Sequence, residues 1–327
     1  MQLKTRLTHR LGISHPILLA PMNVFAGGRL AAAVSGAGGL GLIGGGYGDG
    51  AWLAQQFEAA EGARVGCGFI TWSMARDPAL LELALARQPA AVMLSFGDLE
   101  PHASRIKAAN VPLICQVQGM RYLREAVDAG ADIIVAEGNE AGGHSGHRGV
   151  FTLVPEAADY LARHSPDTVL VAAGGVGDGR GLAAALMLGA DGVLVGTRFV
   201  ASLESEAPEE FRKSISRADG DATLKSTSVD VARKRYWPNS EFVVRVLKNP
   251  FVARWHGRER EMEQAIDVEY ERFWDAFKAG DADNTGVLAG EVCGLIHEAL
   301  PAARIVEDMV MQTCRLLGSH SPFVLGD

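Results

Sequence analysis

Eight short apolar runs recur along the first two hundred residues with amphipathic stretches between them, and this alternation restricts the chain to a parallel sheet covered by helices. The runs are residues 16–20, 40–43, 64–70, 91–95, 112–117, 132–136, 168–173 and 192–196, each dominated by Val, Ile, Leu and Ala. Near-continuous apolar runs of this length are what strands buried on both faces require. Between them, residues 29–35, 51–60, 78–87, 121–129, 157–163 and 181–188 carry helical spacing, several ending at a glycine suited to a left-handed C-terminal cap. Ala129-Gly130-Ala131-Asp132 and Leu188-Gly189-Ala190-Asp191 repeat one helix-to-strand turn. Eight units at intervals of about 20 to 27 residues, with a longer interval after the sixth strand, predict an α/β fold of the (β/α)8 type, a TIM barrel. A doubly wound sheet would need its glycine fingerprint after the first strand. Ala20-Pro21-Met22-Asn23 follows that strand instead, and the densest glycine turns come after the sixth, seventh and eighth.

The barrel pattern ends near residue 202. Residues 203–279 are charged, aromatic and helical in spacing, with 242–247 the one β-like run, which could equally be helix. They predict an additional, mainly α-helical second domain or lid. The polar loop Gly280-Asp281-Ala282-Asp283-Asn284-Thr285-Gly286 then leads to helical patterns at 292–300 and 303–317, so that 280–327 completes the barrel domain of residues 1–202.

A formal net charge of −8 argues against a nucleic-acid surface, and the local run Arg233-Lys234-Arg235 reads as a solvated helix face. The four cysteines, Cys67, Cys115, Cys293 and Cys314, form no paired framework and fit a reducing cytoplasm. The amino terminus lacks an apolar leader and no run reaches membrane-spanning length. A soluble cytoplasmic protein is expected.

The chemistry concentrates in the loops after the sixth to eighth strands, which lie at the face where barrel enzymes build their sites. Glu140-Ala141-Gly142-Gly143-His144-Ser145-Gly146-His147-Arg148-Gly149 sets an imidazole among glycines, a suitable place for a general acid or base close to a bound cofactor. Gly174-Gly175 and Gly196-Thr197 fall after strands seven and eight, where this fold commonly holds phosphate; the alternative is that these glycines merely make tight turns. Ala20, Pro21 and Met22 close the first strand, where a planar ring anchored by that phosphate would lie. Gln116 and Glu137 end the fifth and sixth strands and could contact such a ring, cap a loop, or pair with Arg148. Tyr47 and Trp72 either wall a substrate pocket or pack the barrel top. Asp178, Asp191 and Arg198 are explained by capping and ion pairs. His144 and His147 lack a third ligand of suitable spacing, so no metal is expected.

With these residues in place, the chain resembles the nitronate monooxygenase family, formerly 2-nitropropane dioxygenases, FMN-dependent barrels related to the bacterial FMN-containing enoyl-reductases. The resemblance rests on Pro16-Ile17-Leu18-Leu19-Ala20-Pro21-Met22, Ala33-Val34-Ser35-Gly36-Ala37-Gly38-Gly39-Leu40-Gly41, Cys115-Gln116-Val117-Gln118, Glu140-Ala141-Gly142-Gly143-His144, Ala173-Gly174-Gly175-Val176-Gly177-Asp178-Gly179-Arg180 and Gly196-Thr197-Arg198-Phe199, with Gly280-Asp281-Ala282-Asp283 similar to the family's C-terminal loop. It implies that the FMN phosphate sits on Gly175, Gly196 and Thr197, that Met22, Gln116 and the Gly142-Gly143 backbone face the flavin, and that His144 is the active-site base. It implies a nitronate or nitroalkane substrate that gives electrons to FMN, with dioxygen then yielding a carbonyl compound and nitrite.

Two departures accompany it. Relatives that act as NADH:quinone reductases tend to carry Lys where Gln116 stands and Asn near Gly68, and His147 has no counterpart in many relatives. The alternatives are an NAD(P)H-dependent flavin reductase with a quinone or enoyl thioester acceptor, and a non-catalytic flavin-binding protein. The number of subunits, including any homo-oligomer, is left open.

Overall fold

The computed structural model describes residues 3–100 and 102–318; the end of the expected closing segment, past residue 318, lies outside the described residues. Eleven strands occur among them: β1 (Ile17–Leu19), β2 (Leu42–Gly46), β3 (Gly66–Ile70), β4 (Val92–Ser95), β5 (Leu113–Val117), β6 (Ile133–Glu137), β7 (Gly143–Ser145), β8 (Val169–Ala173), β9 (Gly192–Val195), β10 (Thr223–Lys225) and β11 (Val243–Leu247). Eight form one parallel sheet in the order β1-β9-β8-β6-β5-β4-β3-β2. A parallel bridge between Leu18 and Leu40 joins its edges, with Leu19 N–H donating to Leu40 O at 2.9 Å and Leu40 N–H to Ile17 O at 3.0 Å. The sheet is thereby a barrel, and its eight strands are the eight apolar runs.

Strand period decides which side chains enter the lumen. Leu18, Met93, Ile114, Ile133, Val135, Val171 and Leu194 pack together inside, while Ile17, Leu19, Leu94, Cys115, Ile134 and Val193 face the surrounding helices. The same alternation carries Gln116 inward two residues after Ile114, and Glu137 inward two residues after Val135. Leu7 and Leu11, on the helix Arg6–Leu11, close the opposite end. Each is essentially fully buried and contributes about 1.5 to 3 kcal/mol by leaving water.

Residues 203–279 carry the helices Glu209–Arg217, Ser228–Ala232, Pro250–Trp255, Glu259–Gln264 and Ile266–Ala279. The segment also holds β10 and β11, so 242–247 resolves as strand. Its partner explains why: β11 pairs antiparallel with β10 on one side and with β7 on the other, a non-local pairing that its own sequence does not encode. Val229, Val244, Val246, Phe251, Met262 and Phe273 form the local core.

Two further boundaries differ from expectation. The helix predicted at 157–163 begins at Val150 and runs to His164, with Pro155 inside it; the proline forfeits an amide bond and crowds the carbonyl four residues back, a cost offset by burial of Leu153, Val154, Ala157 and Leu161 along the helix. The helix predicted at 292–300 is replaced by a 3-10 turn, Glu291–Leu295, because the segment is drawn against the loop at Asp219: a Cβ on Gly294 would lie 2.9 Å from Gly220 N, and Cys293 Sγ donates to Asp219 O. The closing helix Ala302–Gly318 forms and packs on the helices Gly179–Met187 and Gly28–Gly36. No helix among the described residues is long and apolar enough to cross a membrane.

Candidate active site

One cavity of about 1490 Å³, open mouth included, lies at the carboxyl ends of the barrel strands, and Ala20, Pro21, Met22, Gln116, Glu137, Gly142, Gly143, His144, Gly174, Gly175, Gly196 and Thr197 all line it. Strand ends deliver the first five, and the loops after β6, β8 and β9 deliver the rest.

His144 sits in the middle of β7, held between Gly143 and Ser145 by pairing with β11, where it registers against Val244. Its Nε2 lies 2.7 Å from Asp230 Oδ2, and both side chains are buried. Asp230 comes from the helix Ser228–Ala232, and its other oxygen accepts from Arg233 Nη2 at 2.7 Å. Burial raises the Asp230 pKa, but His144 and Arg233 outweigh it and hold the group below the ordinary carboxylate range. An ionised Asp230 fixes the tautomer: Nε2 carries the proton and donates it. Burial pulls the His144 pKa below its usual value, against the opposing charge of Asp230, so the resting imidazole is neutral. Its Nδ1 has no partner among the described residues and is not sealed from solvent; that lone pair opens to the cavity.

The imidazole is also clamped. Trp237 stacks on it with ring centroids 3.6 Å apart and planes 18° apart, and Trp237 Nε1 donates to Tyr47 Oη at 3.2 Å. Phe96 meets Trp237 edge-on at 5.0 Å and His144 at 6.4 Å. Phe96 follows β4 with φ +58°, a left-handed backbone that costs about 1 kcal/mol or more for a bulky residue and turns the ring into the site.

Glu137 occupies the floor. Gln116 Nε2 donates to its Oε2 at 2.8 Å and Gln118 Nε2 at 3.0 Å; Arg148 pairs instead with Glu156. Burial pushes the Glu137 carboxyl up to about 8, despite those two donors and Lys225, so near neutrality it is largely protonated and can act as a donor. Lys225, from β10, is pulled down to about 8 by burial and by Arg245, and it donates to the carbonyls of Ser145 and Gly146, tying down the loop around His144.

In the same cavity, the turns after β8 and β9 form a cradle of amides. Gly174 and Gly175 have φ of +96° and +71°, conformations that glycine adopts without strain. The helix Thr197–Val200 starts at Gly196 with no side-chain cap, and the amides of Gly175, Val176, Gly196 and Thr197 donate to no protein acceptor among the described residues. The Thr197 hydroxyl oxygen accepts from Gly290 N–H at 2.9 Å, which leaves its proton free to point elsewhere. Gly142 packs so closely on the 289–290 backbone that a Cβ there would lie 2.4 Å from Gly290 N. The C-terminal loop thus braces both the histidine loop and the cradle.

Tyr47 lines the cavity, and Trp72 stands behind it, 5.9 Å between ring centroids. Asp178 caps its helix through Arg180 N and Gly181 N; Asp191 pairs with Arg6; Arg198 donates to Glu298 O. No cluster able to hold a metal occurs among the described residues, and His147 is exposed. Sequence reasoning missed Asp230, Arg233, Trp237 and Phe96. An aromatic directly after a strand is a usable signal for Phe96, whereas Arg233 reads in the sequence as part of a solvated face.

Comparison with known proteins bears on the family and the fold. The family model described as nitronate monooxygenase matches residues 4–66 and 70–312. A nitronate monooxygenase of Metarhizium robertsii is 35% identical over 93% of this chain and 92% of its own length. A (3aS,4S,5R,7aS)-5-hydroxy-7a-methyl-1-oxo-octahydro-1H-indene-4-carboxyl-CoA dehydrogenase of Mycobacterium tuberculosis is 29% identical over 99% of this chain and all of its own. Among solved structures, FabK from Thermotoga maritima superposes with a TM-score of 0.81 at 30% identity, covering 97% of this chain and 98% of that one.

Proposed function

The chain belongs to the nitronate monooxygenase family of oxidoreductases, and on that footing we propose that it is an FMN-dependent enzyme that oxidises nitronates, and the nitroalkanes they come from, with dioxygen to carbonyl compounds and nitrite. One observation carries the reading: a buried imidazole and a cradle of amides, its Nδ1 and their N–H groups without partners among the described residues, line the same cavity.

The residues suit FMN. The amides of Gly175 and Gly196 and the Thr197 hydroxyl would hold its phosphate, as helix starts and glycine turns hold anions generally. Met22, Gln116 and the Gly142-Gly143 backbone would face its ring; at Gly143, whose φ is +78°, an added Cβ would meet nothing within 4 Å, so the backbone there is bare toward open space. Bound flavin supplies the electron-transfer chemistry that no side chain of the cavity can.

The protein's own part is binding and proton transfer. His144 Nδ1 takes the proton from the carbon bearing the nitro group, and Asp230 stabilises the imidazolium that results. Trp237 and Phe96 fix the ring and exclude water. Gln116 and protonated Glu137 offer hydrogen-bond donors across the cavity floor.

A second reading is favoured by the full-length match to the carboxyl-CoA dehydrogenase and by the FabK-like shape: an NAD(P)H-dependent flavin oxidoreductase acting on a quinone, an enoyl thioester or a related acyl compound. Anaerobic stopped-flow absorbance of the flavin-loaded protein separates the two. Bleaching by ethylnitronate or propionate-3-nitronate, with none by NADH or NADPH, is expected; rapid bleaching by NAD(P)H alone would overturn the monooxygenase reading.

A further inference from the structure

The groups around His144 close into a ring. Asp230 gives one oxygen to His144 Nε2 and the other to Arg233 Nη2, each at 2.7 Å. Arg233 in turn lies against Tyr47, its guanidinium carbon 5.8 Å from the ring centroid. Trp237 completes the circuit, donating to Tyr47 Oη at 3.2 Å and stacking on His144. His144, Arg233, Tyr47 and Trp237 all line the cavity, whereas Asp230 does not. One buried carboxylate therefore fixes an imidazole and a guanidinium relative to each other from behind.

Arg233 is the one permanent cation in the cavity lining among the described residues. Val229 O and Asp230 take two of the five N–H donors that a guanidinium carries, and the outer edge of the fork lies beside the Tyr47 hydroxyl. Asp230 is the carboxylate that acts on it, so the pair is neutral as a whole and becomes positive by one charge when His144 takes a proton. The other carboxylates of the lining are engaged elsewhere: Glu140 accepts from Val150 N–H, and Glu137 is held by Gln116 and Gln118 and largely protonated. Burial pushes the Tyr47 pKa above its usual value, against the charge of Arg233, so the phenol keeps its proton. Its oxygen already accepts from Trp237, and its O–H has no acceptor among the described residues. A guanidinium edge beside a hydroxyl suits a planar anion with two oxygens.

We propose that Arg233 and the Tyr47 hydroxyl form an oxyanion subsite that takes the oxygens of a nitro or nitronate group and so holds the carbon bearing it against His144 Nδ1. As the C–H bond breaks, its proton passes to Nδ1 and its electron pair moves into the carbon–nitrogen bond, which places the negative charge on the nitro oxygens. The subsite meets that charge where it develops, and Asp230 balances the imidazolium formed at the same moment. The catalytic role rests on the nitronate reading; the anion subsite does not, because binding reads it without turnover.

The test is calorimetric titration of the flavin-loaded protein with acetate, nitrite and the neutral isostere acetamide, with flavin absorbance as a second signal. Acetate and nitrite are expected to bind at least ~10-fold tighter than acetamide. Acetate affinity should fall about tenfold in R233M and in Y47F and recover in part in R233K, with retained flavin absorbance showing that each variant is folded. Y47F leaves the Asp230 pair intact, so it reads the subsite even where R233M fails to hold flavin. In turnover of a neutral nitroalkane, Y47F should lower kcat/KM about tenfold or more; an unchanged value would remove the catalytic role. Acetamide binding as tightly as acetate, or acetate affinity unchanged in Y47F and R233M, would overturn the subsite. Anion binding as expected with flavin bleached by NAD(P)H alone would keep the subsite and remove nitronate oxidation, whereas nitronate oxidation with unaltered anion binding in the variants would do the reverse.

Discussion

His144 and Asp230 lie 86 positions apart in the chain, yet their side chains meet at 2.7 Å inside the cavity. Neither residue belongs to the other's supersecondary unit; one is on a barrel loop and the other on a helix beyond the last barrel strand. The carboxylate orients the ring and favours its charged form, as the proposed roles of base and positioning residue require.

Removing either member should slow proton abstraction without emptying the flavin site. H144A is expected to lower kcat/KM for a neutral nitroalkane by about 10²- to 10⁴-fold, with a smaller loss for a preformed nitronate, which needs no deprotonation. D230N should lose about tenfold or more with the nitroalkane. Steady-state kinetics with both substrate forms checks this, and an equal loss on both would remove His144 from the role of base.

The pH profile follows from the same pair. A base must be neutral to accept a proton, and burial sets the His144 pKa below 6.5. Activity on the neutral nitroalkane should therefore rise with pH through a limb lying below 6.5 and stay level above it. Asp230 favours the imidazolium, so D230N should move that limb to lower pH still. A limb that stays in place in D230N would show that the carboxylate does not act on the ring.

Glu137 makes a separate prediction about stability. Its carboxyl titrates near 8 in the folded protein against 4.5 ordinarily, so the folded state holds a proton that the unfolded chain has released. Stability from this group is present below the unfolded value and is lost as pH rises toward 8. At about 1.4 kcal/mol for each tenfold change in proton affinity, the loss is of the order of a few kcal/mol. The flavin-free E137Q variant, which mimics the neutral acid, should show a Tm that declines less between pH 5 and pH 8. Parallel curves for variant and parent would exclude the buried acid.

Gly142 tests the brace from the C-terminal loop. An alanine Cβ would lie 2.4 Å from Gly290 N and 2.6 Å from Ala289 C, both backbone atoms that cannot swing aside. G142A should cost about 1 to 3 kcal/mol and, because Gly290 also holds the Thr197 hydroxyl, should lower flavin retention. Thermal melts and the flavin-to-protein absorbance ratio report both effects.

The barrel is legible in the sequence because its signals are local. Eight buried strands announce themselves as apolar runs, and strand period alone sends Gln116 and Glu137 into the lumen. The twelve residues singled out from the sequence share one cavity because they sit at equivalent strand ends, a relation that topology guarantees once the barrel is inferred. Asp230, Arg233 and Trp237 obey no such rule. Their approach to His144 depends on the non-local pairing of β7 with β11, and 203–279 read as helical because most of it is. Arg233 looks solvated within a basic run, yet it is turned inward by its bond to Asp230.

The three residues Gly143–Ser145 are at once a barrel loop and the outer strand of the β10–β11 sheet. Whatever reshapes β11 therefore moves the imidazole. For protein engineering, the smallest portable piece of this candidate site is not the glycine loop but the loop together with residues 223–247; grafted alone, the histidine would arrive in a new barrel without the strand that holds it or the aspartate that orients it.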